Sequence, residues 1–143
     1  MSEWVIADLA CVVQSFISVP LYDTLGADAV EYIVNHAEDT VIIVDQVLLP
    51  LFDKFKSKIN VKHIIVIPNA GQPVPDGTLN YEDIIASGDE SKYIPFEGDE
   101  NTAAAMCYTS GTTGKPKGVL YSHRSIMLHS MVCSYAEGMS ILE

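Results

Sequence analysis

Positive charge is scarce in this chain: eight Lys and Arg stand against 19 Asp and Glu, a formal net charge of -11 over 143 residues. A surface of that sign repels a phosphate backbone, so nucleic acid is a poor partner. Cysteine is scarce too. Cys11, Cys107 and Cys133 are odd in number, widely spaced and set among apolar residues, which offers neither a disulfide framework nor zinc-ligand spacing and fits a reducing compartment. No apolar run reaches the roughly 18 residues that a membrane span needs. The N-terminal stretch carries Glu3 and Asp8 with no basic segment ahead of it, so neither a signal peptide nor a transmembrane helix is expected. Internal repeats, low-complexity tracts and an acidic tail are missing as well; the acidic residues come in ones and twos, as on a solvated surface.

Hydrophobic residues make up 48% of the chain, enough for a core, and one compact α/β unit is the natural expectation for this length. From Trp4 to Ile17 the stripe Val5, Leu9, Val12 and Phe16, flanked by Ile6, Ala10, Val13 and Ile17, predicts a largely buried helix that Pro20 ends. Ser18 to Leu21 suits a short strand. Val30, Ile33, Val34 and Ala37 mark a second helix, with Asp28 near its start to complement the dipole. Val41 to Val44 and His63 to Ile67 are β-branched runs of the kind found in parallel strands covered on both faces. Leu48, Leu51, Phe52 and Phe55 predict an amphipathic helix between them, with Pro50 tolerable only near its start. Strand, helix, strand is a βαβ unit with a right-handed crossover, so the fold class is α/β: an open, mostly parallel sheet with helices on both faces. Residues 68–79, rich in Pro and Gly, read as an exposed loop within the same architecture. Tyr81 to Ala86 suits a short helix, Asp83 to Asn101 is mostly polar and irregular, and Ala103 to Tyr108 predicts a buried strand.

That strand feeds the segment that carries chemistry. Tyr108 to Gly118 packs four aliphatic hydroxyls, three glycines and two lysines into eleven residues. Glycines let backbone N–H groups approach an oxyanion, hydroxyls donate directionally, and a lysine supplies a mobile point charge. The segment is not a Walker A loop, because Gly111 and Gly114 stand too close and Pro116 follows Gly114-Lys115. Val119 to Tyr121 is strand-like, so the loop joins two strands as a flexible hairpin that closes over a triphosphate. Ser122 reads as the N-cap of a helix from His123 to Ala136.

The ordered string Ser110-Gly111-Thr112-Thr113-Gly114-Lys115-Pro116-Lys117-Gly118, followed by Ser122-His123, resembles the signature loop of the adenylate-forming superfamily of acyl-CoA synthetases, luciferases and peptide-synthetase adenylation domains. Glu3-Trp4, Val19 to Gly26 and Asn35-His36-Ala37-Glu38 resemble eukaryotic-type long-chain fatty acyl-CoA synthetases, and Tyr22 to Gly26 is what sets that subfamily apart from coumarate ligases and luciferases. The resemblance covers essentially the whole chain. It implies that residues 1–143 are a partial AMP-binding (adenylation) domain, a piece of a large N-terminal domain truncated at both ends. It further implies ATP-dependent activation of a long-chain fatty acid to acyl-AMP and transfer to coenzyme A, with Mg2+ as the metal partner of ATP.

By the same resemblance Thr109, Ser110, Gly111, Thr112, Thr113, Gly114 and Lys117 contact the β- and γ-phosphates, and Lys117 is the catalytic residue that neutralises the leaving pyrophosphate. Lys115 reads as a solvated neighbour, and Thr102 and Tyr108 as structural. No metal ligand is assigned. His123 admits two readings, a place near the nucleotide or acyl pocket or a packing role in the first helical turn. Arg124 opposes the helix dipole, which hints at a partner. Asn35 to Glu38 suggests a helix end rather than a catalytic dyad. His36, His63 and His129 read as surface or satisfied core residues, and Met127, Met131 and Met139 as core or interface fillers.

The resemblance also calls for an aromatic adenine loop, an acidic magnesium ligand, a ribose aspartate, a hinge and a distant C-terminal lysine, and none follows Glu143. Turnover by these residues alone is therefore not expected. A non-catalytic nucleotide- or acyl-binding or interaction fragment, and a ligase for another carboxylic acid, remain the competing readings. Localisation is left open within an intracellular setting; peroxisomal or endoplasmic-reticulum association, with peripheral membrane attachment, would belong to the full-length protein.

Overall fold

A computed structural model describes residues 2–110 and 114–135. Instead of the single compact unit expected, the chain divides into two: one from Leu21 to Ile94, the other from the residues up to Pro20 together with those from Pro95 onward. Each closes its own contacts, which is why hydrophobic content alone did not reveal the division.

In the unit from Leu21 to Ile94, helix α2 (Ala27–His36) buries Val30, Ile33 and Val34 and carries Asp28 in its first turn and His36 in its last, both complementing the dipole. It ends where Asn35 to Glu38 suggested. The Ala37 N–H donates to the Ile33 carbonyl at 2.8 Å and Asp39 N–H to the Val34 carbonyl at 3.1 Å, with Glu38 in the left-handed region at φ 56°. Strand β1 (Val41–Asp45) pairs in parallel with β2 (His63–Ile67), Val41 opposite His63 through Asp45 opposite Ile67, and β2 pairs in parallel with the short β3 (Leu79–Asn80). The parallel sheet and the α/β class are as expected.

Coverage of β1 on both faces is not. Exposed Val41 and Ile43 alternate with Ile42 and Val44, and Ile42 faces the core of Val30, Val34, Phe52 and Phe55. Within this unit, one face of the strand packs and the other meets solvent. The crossover also departs from a single amphipathic helix. Asp45 accepts from Val47 N–H at 3.0 Å to cap a 3-10 turn over Gln46–Leu48, and Pro50 then starts α3 (Leu49–Phe52), which lasts one turn. The apolar positions still do their work: Phe52 and Phe55 are buried and meet edge to face at 5.3 Å. Gln46 pins the Pro/Gly loop by donating to the Pro73 carbonyl at 3.0 Å and accepting from Asn69 N–H at 2.8 Å. Asn80 caps α4 (Tyr81–Ala86), the short helix expected there.

In the other unit, α1 (Ser2–Val13) contains no buried residue, contrary to the expectation of a largely buried helix; Trp4, Leu9 and Val13 are exposed. Apolar residues occupy several sides of this helix, and its packing against β4 (Ala103–Thr109) covers one. The strand expected over Ser18 to Leu21 is a single parallel bridge from Ser18 to Ala105. β4 pairs antiparallel with β5 (Lys117–Ser122), and Ser122 caps α5 (His123–Ser134) as expected. Among the described residues no helix is long and apolar enough to cross a membrane.

Burial pushes the Asp39 carboxyl up to about 6 from its ordinary 3.8. The folded state therefore binds the proton more tightly than the unfolded chain, and stability falls as pH rises from about 4 to about 6. Asp39→Asn should flatten that window and raise stability above pH 6 by about 1 kcal/mol, after the discount for a half-exposed group. Urea denaturation of both proteins at pH 4 and pH 7 checks it.

Candidate functional site

The functional segment is a hairpin. Its register runs from Ala103 opposite Ser122, across an irregularity between Ala103 and Ala105, to Tyr108 opposite Gly118 and Thr109 opposite Lys117. Two of the assigned residues, Thr109 and Lys117, thus form the closing pair of the ladder, where directly opposed side chains stand about 5 Å apart on one face. Both are exposed, as is Ser110. Lys117 makes no ion pair among the described residues, so its ammonium is available to an anion. Gly114 sits at φ 93°, a conformation that a side chain would strain. Gly111, Thr112 and Thr113 lie outside the described residues.

β4 is held on its other edge as well. Ser18 N–H donates to the Ala104 carbonyl at 3.0 Å and Met106 N–H to the Ser18 carbonyl at 2.8 Å, and Ala104 is fully buried. The loop therefore leaves from a strand anchored on both sides and returns into β5.

The N-terminus of α5 is occupied by the chain itself. His123 N–H donates to the Thr102 carbonyl at 3.1 Å, Arg124 N–H to the Glu100 carbonyl at 2.8 Å, and Ser125 N–H to Ser122 Oγ at 3.2 Å. These donors are taken up within the chain and are not free for an anion at the helix end. Arg124, whose place against the dipole hinted at a partner, finds it in the Glu100 carboxylate. His123 shares a hydrogen bond between Nε2 and Ser15 Oγ at 3.3 Å and stacks on Phe96 at 6.1 Å. β5 separates it from Lys117 by about 20 Å, at roughly 3.3 Å per residue. Of its two readings, these contacts support packing.

No carboxylate stands between Ala103 and Ser122. The hairpin thus carries hydroxyls and the Lys117 ammonium, groups suited to an anion, but no acidic ligand for Mg2+. Among the described residues no cluster of three or more His, Cys, Asp or Glu could hold a metal. The packing of Met106 and Tyr108 over Gly118 escaped the sequence reading. The signal available was a glycine opposite an aromatic in two adjacent strand-like runs.

A Gly/Thr-rich stretch joining two antiparallel strands, in a chain that also holds a parallel α/β unit, points to a class of nucleotide-handling enzymes, and comparison with known proteins identifies the family. The model of the AMP-binding enzyme family matches residues 1–141, and the chain belongs to that family. It is 42% identical over 122 residues to a medium-chain-fatty-acid–CoA ligase of Ectopseudomonas oleovorans, covering 82% of this chain and 22% of that protein. It is 39% identical over 134 residues to the peroxisomal long chain acyl-CoA synthetase 7 of Arabidopsis thaliana, covering 87% of this chain and 19% of that one. The chain therefore spans about a fifth of the length of these relatives. The crystal structure of an anthranilate CoA ligase in complex with anthranoyl-AMP superposes with a TM-score of 0.83 at 28% identity, covering 92% of this chain and 25% of that one.

Ser122→Ala should remove the α5 cap and cost about 1 kcal/mol of stability, with Ser122→Asp retaining most of it. Chemical denaturation of the three proteins checks this.

Proposed function

We propose that the chain is the phosphate-handling part of a carboxylic acid–CoA ligase whose substrate is a long-chain fatty acid. The observation that carries the reading is the closing pair Thr109–Lys117, which brackets the Gly/Thr-rich loop between a doubly anchored strand and its partner. In this reading Thr109, Ser110, Gly111, Thr112, Thr113 and Gly114 offer hydroxyl and backbone N–H donors to the β- and γ-phosphates of ATP, and Lys117 supplies the charge. A fatty acid carboxylate oxygen attacks the α-phosphorus, the bond to the β-phosphate oxygen breaks, and acyl-AMP and pyrophosphate form. Lys117 and the loop donors stabilise the negative charge gathering on pyrophosphate, an effect that removal of one such donor typically reveals as a 100- to 1,000-fold loss, on the order of 3–4 kcal/mol. The thiol of coenzyme A then takes the acyl group and releases AMP.

Mg2+ would neutralise phosphate charge when bound. Since residues 103–122 carry no carboxylate, its protein ligand would lie outside the hairpin, and none of the steps above is routed through it.

Long-chain selectivity rests on the Val19 to Gly26 stretch and on likeness to a long chain synthetase. The likeness to a medium-chain ligase and to an anthranilate ligase supports the wider class equally. Measuring pyrophosphate release with octanoate, palmitate and anthranilate on a chain extended to the relatives' length separates the three; palmitate should be favoured. In that extended chain Lys117→Ala should cut adenylate formation about 100-fold or more. Unchanged adenylation speed and ATP affinity would remove the mechanism. The 143 residues alone should bind ATP weakly by calorimetry and form no acyl-CoA, because the adenine, ribose and magnesium groups that the resemblance calls for are not among their motifs; robust acyl-CoA formation would overturn this.

A further inference from the structure

Gly118 ends the loop signature, yet a left-handed backbone is not what it supplies. It lies within β5, paired to Tyr108, rather than in a left-handed turn. It also lies one residue beyond the closing pair, on the ladder side of Lys117. What occupies its missing side chain is protein: a Cβ built there would stand 2.9 Å from Met106 Sδ, 3.3 Å from Met106 Cγ and 3.3 Å from Tyr108 Cζ. The first of those separations is closer than real Cβ contacts come, and the other two are tighter than most.

We propose that Gly118 is a positioning residue for the loop: it is the seat on which Met106 and Tyr108 pack, and that packing sets where Lys117 and the loop leave the ladder. The inference rests on the reading that this loop takes phosphate. Strand alternation places Met106, Tyr108 and Gly118 on one face and Thr109 and Lys117 on the other. A bulkier residue at 118 must therefore displace the two side chains or push β5 away from β4. β4 cannot recoil easily, because Ser18 bonds it through Ala104 and Met106 on its far edge. β5 pairs with β4 alone among the described residues, and it is exposed along nearly all its length. Met106 and Tyr108 yield first, since the atoms met are side-chain atoms, and whatever crowding they do not relieve falls on β5, which carries the closing pair one residue away.

The test uses the whole chain, its Gly118→Ala variant, the Gly118→Ala/Met106→Ala double variant and Met106→Ala as control, with inorganic tripolyphosphate as the probe. Amide hydrogen exchange at Thr109 and Lys117 is read against Val66 in the other unit, and tripolyphosphate affinity is read by calorimetry. Gly118→Ala should lower protection at Thr109 and Lys117 about tenfold while leaving Val66 unchanged, and weaken tripolyphosphate by a similar factor, in line with the cost of overpacking. Removing Met106 in that background should restore both, which neither a backbone demand nor direct phosphate approach at Gly118 would allow. An unchanged closing pair in Gly118→Ala, or a double variant that stays impaired, would sink the proposal. If the parent chain ignores tripolyphosphate while exchange behaves as described, the phosphate reading falls and the seat stands.

Discussion

A loop proposed to take an anion needs ends that do not wander, and the antiparallel ladder from Ala103 to Thr109 against Lys117 to Ser122 supplies them. The entropy of ordering a glycine-rich loop is large, so little of it can be recovered from the ligand unless the two ends are already held at a fixed separation. The Thr109–Lys117 pair does this and at the same time places a hydroxyl and an ammonium on one face of the ladder. The bridge from Ser18 to Ala105 adds a third strand-like edge behind β4, so the rigid side of the hairpin is the one from which Thr109 and Ser110 project.

The electrostatics follow from this placement rather than from the average charge. A chain with a net charge of -11 opposes ATP over long range, but charges beyond about 8 Å are screened at physiological ionic strength. Lys115 and Lys117 flank Pro116 at the mouth of the loop, and no carboxylate lies between Ala103 and Ser122. The net acidic charge disfavours extended polyanions, while the hairpin carries donors and positive charge with no carboxylate among them. Because the first N–H groups of α5 are bonded to Thr102, Glu100 and Ser122, the helix dipole plays no part in that set of donors.

Much of this was legible in the residues. The apolar spacing of Val30, Ile33 and Val34, the β-branched runs of β1 and β2, the small residues of β4 and the Ser122 cap are local signals, and local signals survive in any context. The hairpin around the loop was legible for the same reason. Coverage was not. Trp4 and Leu9 have the composition of a buried helix and Val41 and Ile43 that of a sheet interior, but what a residue packs against is a tertiary fact that periodicity does not carry. The crossover failed differently: Leu48 to Phe55 has the helical spacing, and Pro50 confines the helix to the turn that begins beside it. Of the seven assigned site residues, Thr109, Ser110, Gly114 and Lys117 are placed, and each is exposed where a ligand could reach it.

The glycines of the signature show why a motif read as one chemical unit combines separate demands. Gly114 is needed for its backbone, since a side chain at φ 93° is strained wherever it points. Gly118 has no such strain, and its demand comes from Met106 and Tyr108 filling the space where a Cβ would be. The two glycines thus meet different demands: Gly114 a backbone conformation and Gly118 the room that Met106 and Tyr108 take. Both constraints act on the geometry of the closing pair, so in the proposed reading a substitution at either position would change phosphate handling without removing a side-chain contact to phosphate. Loss of function at a motif residue therefore does not by itself make that residue a ligand; a compensating change across the ladder at Met106 distinguishes the packing demand from the chemical one.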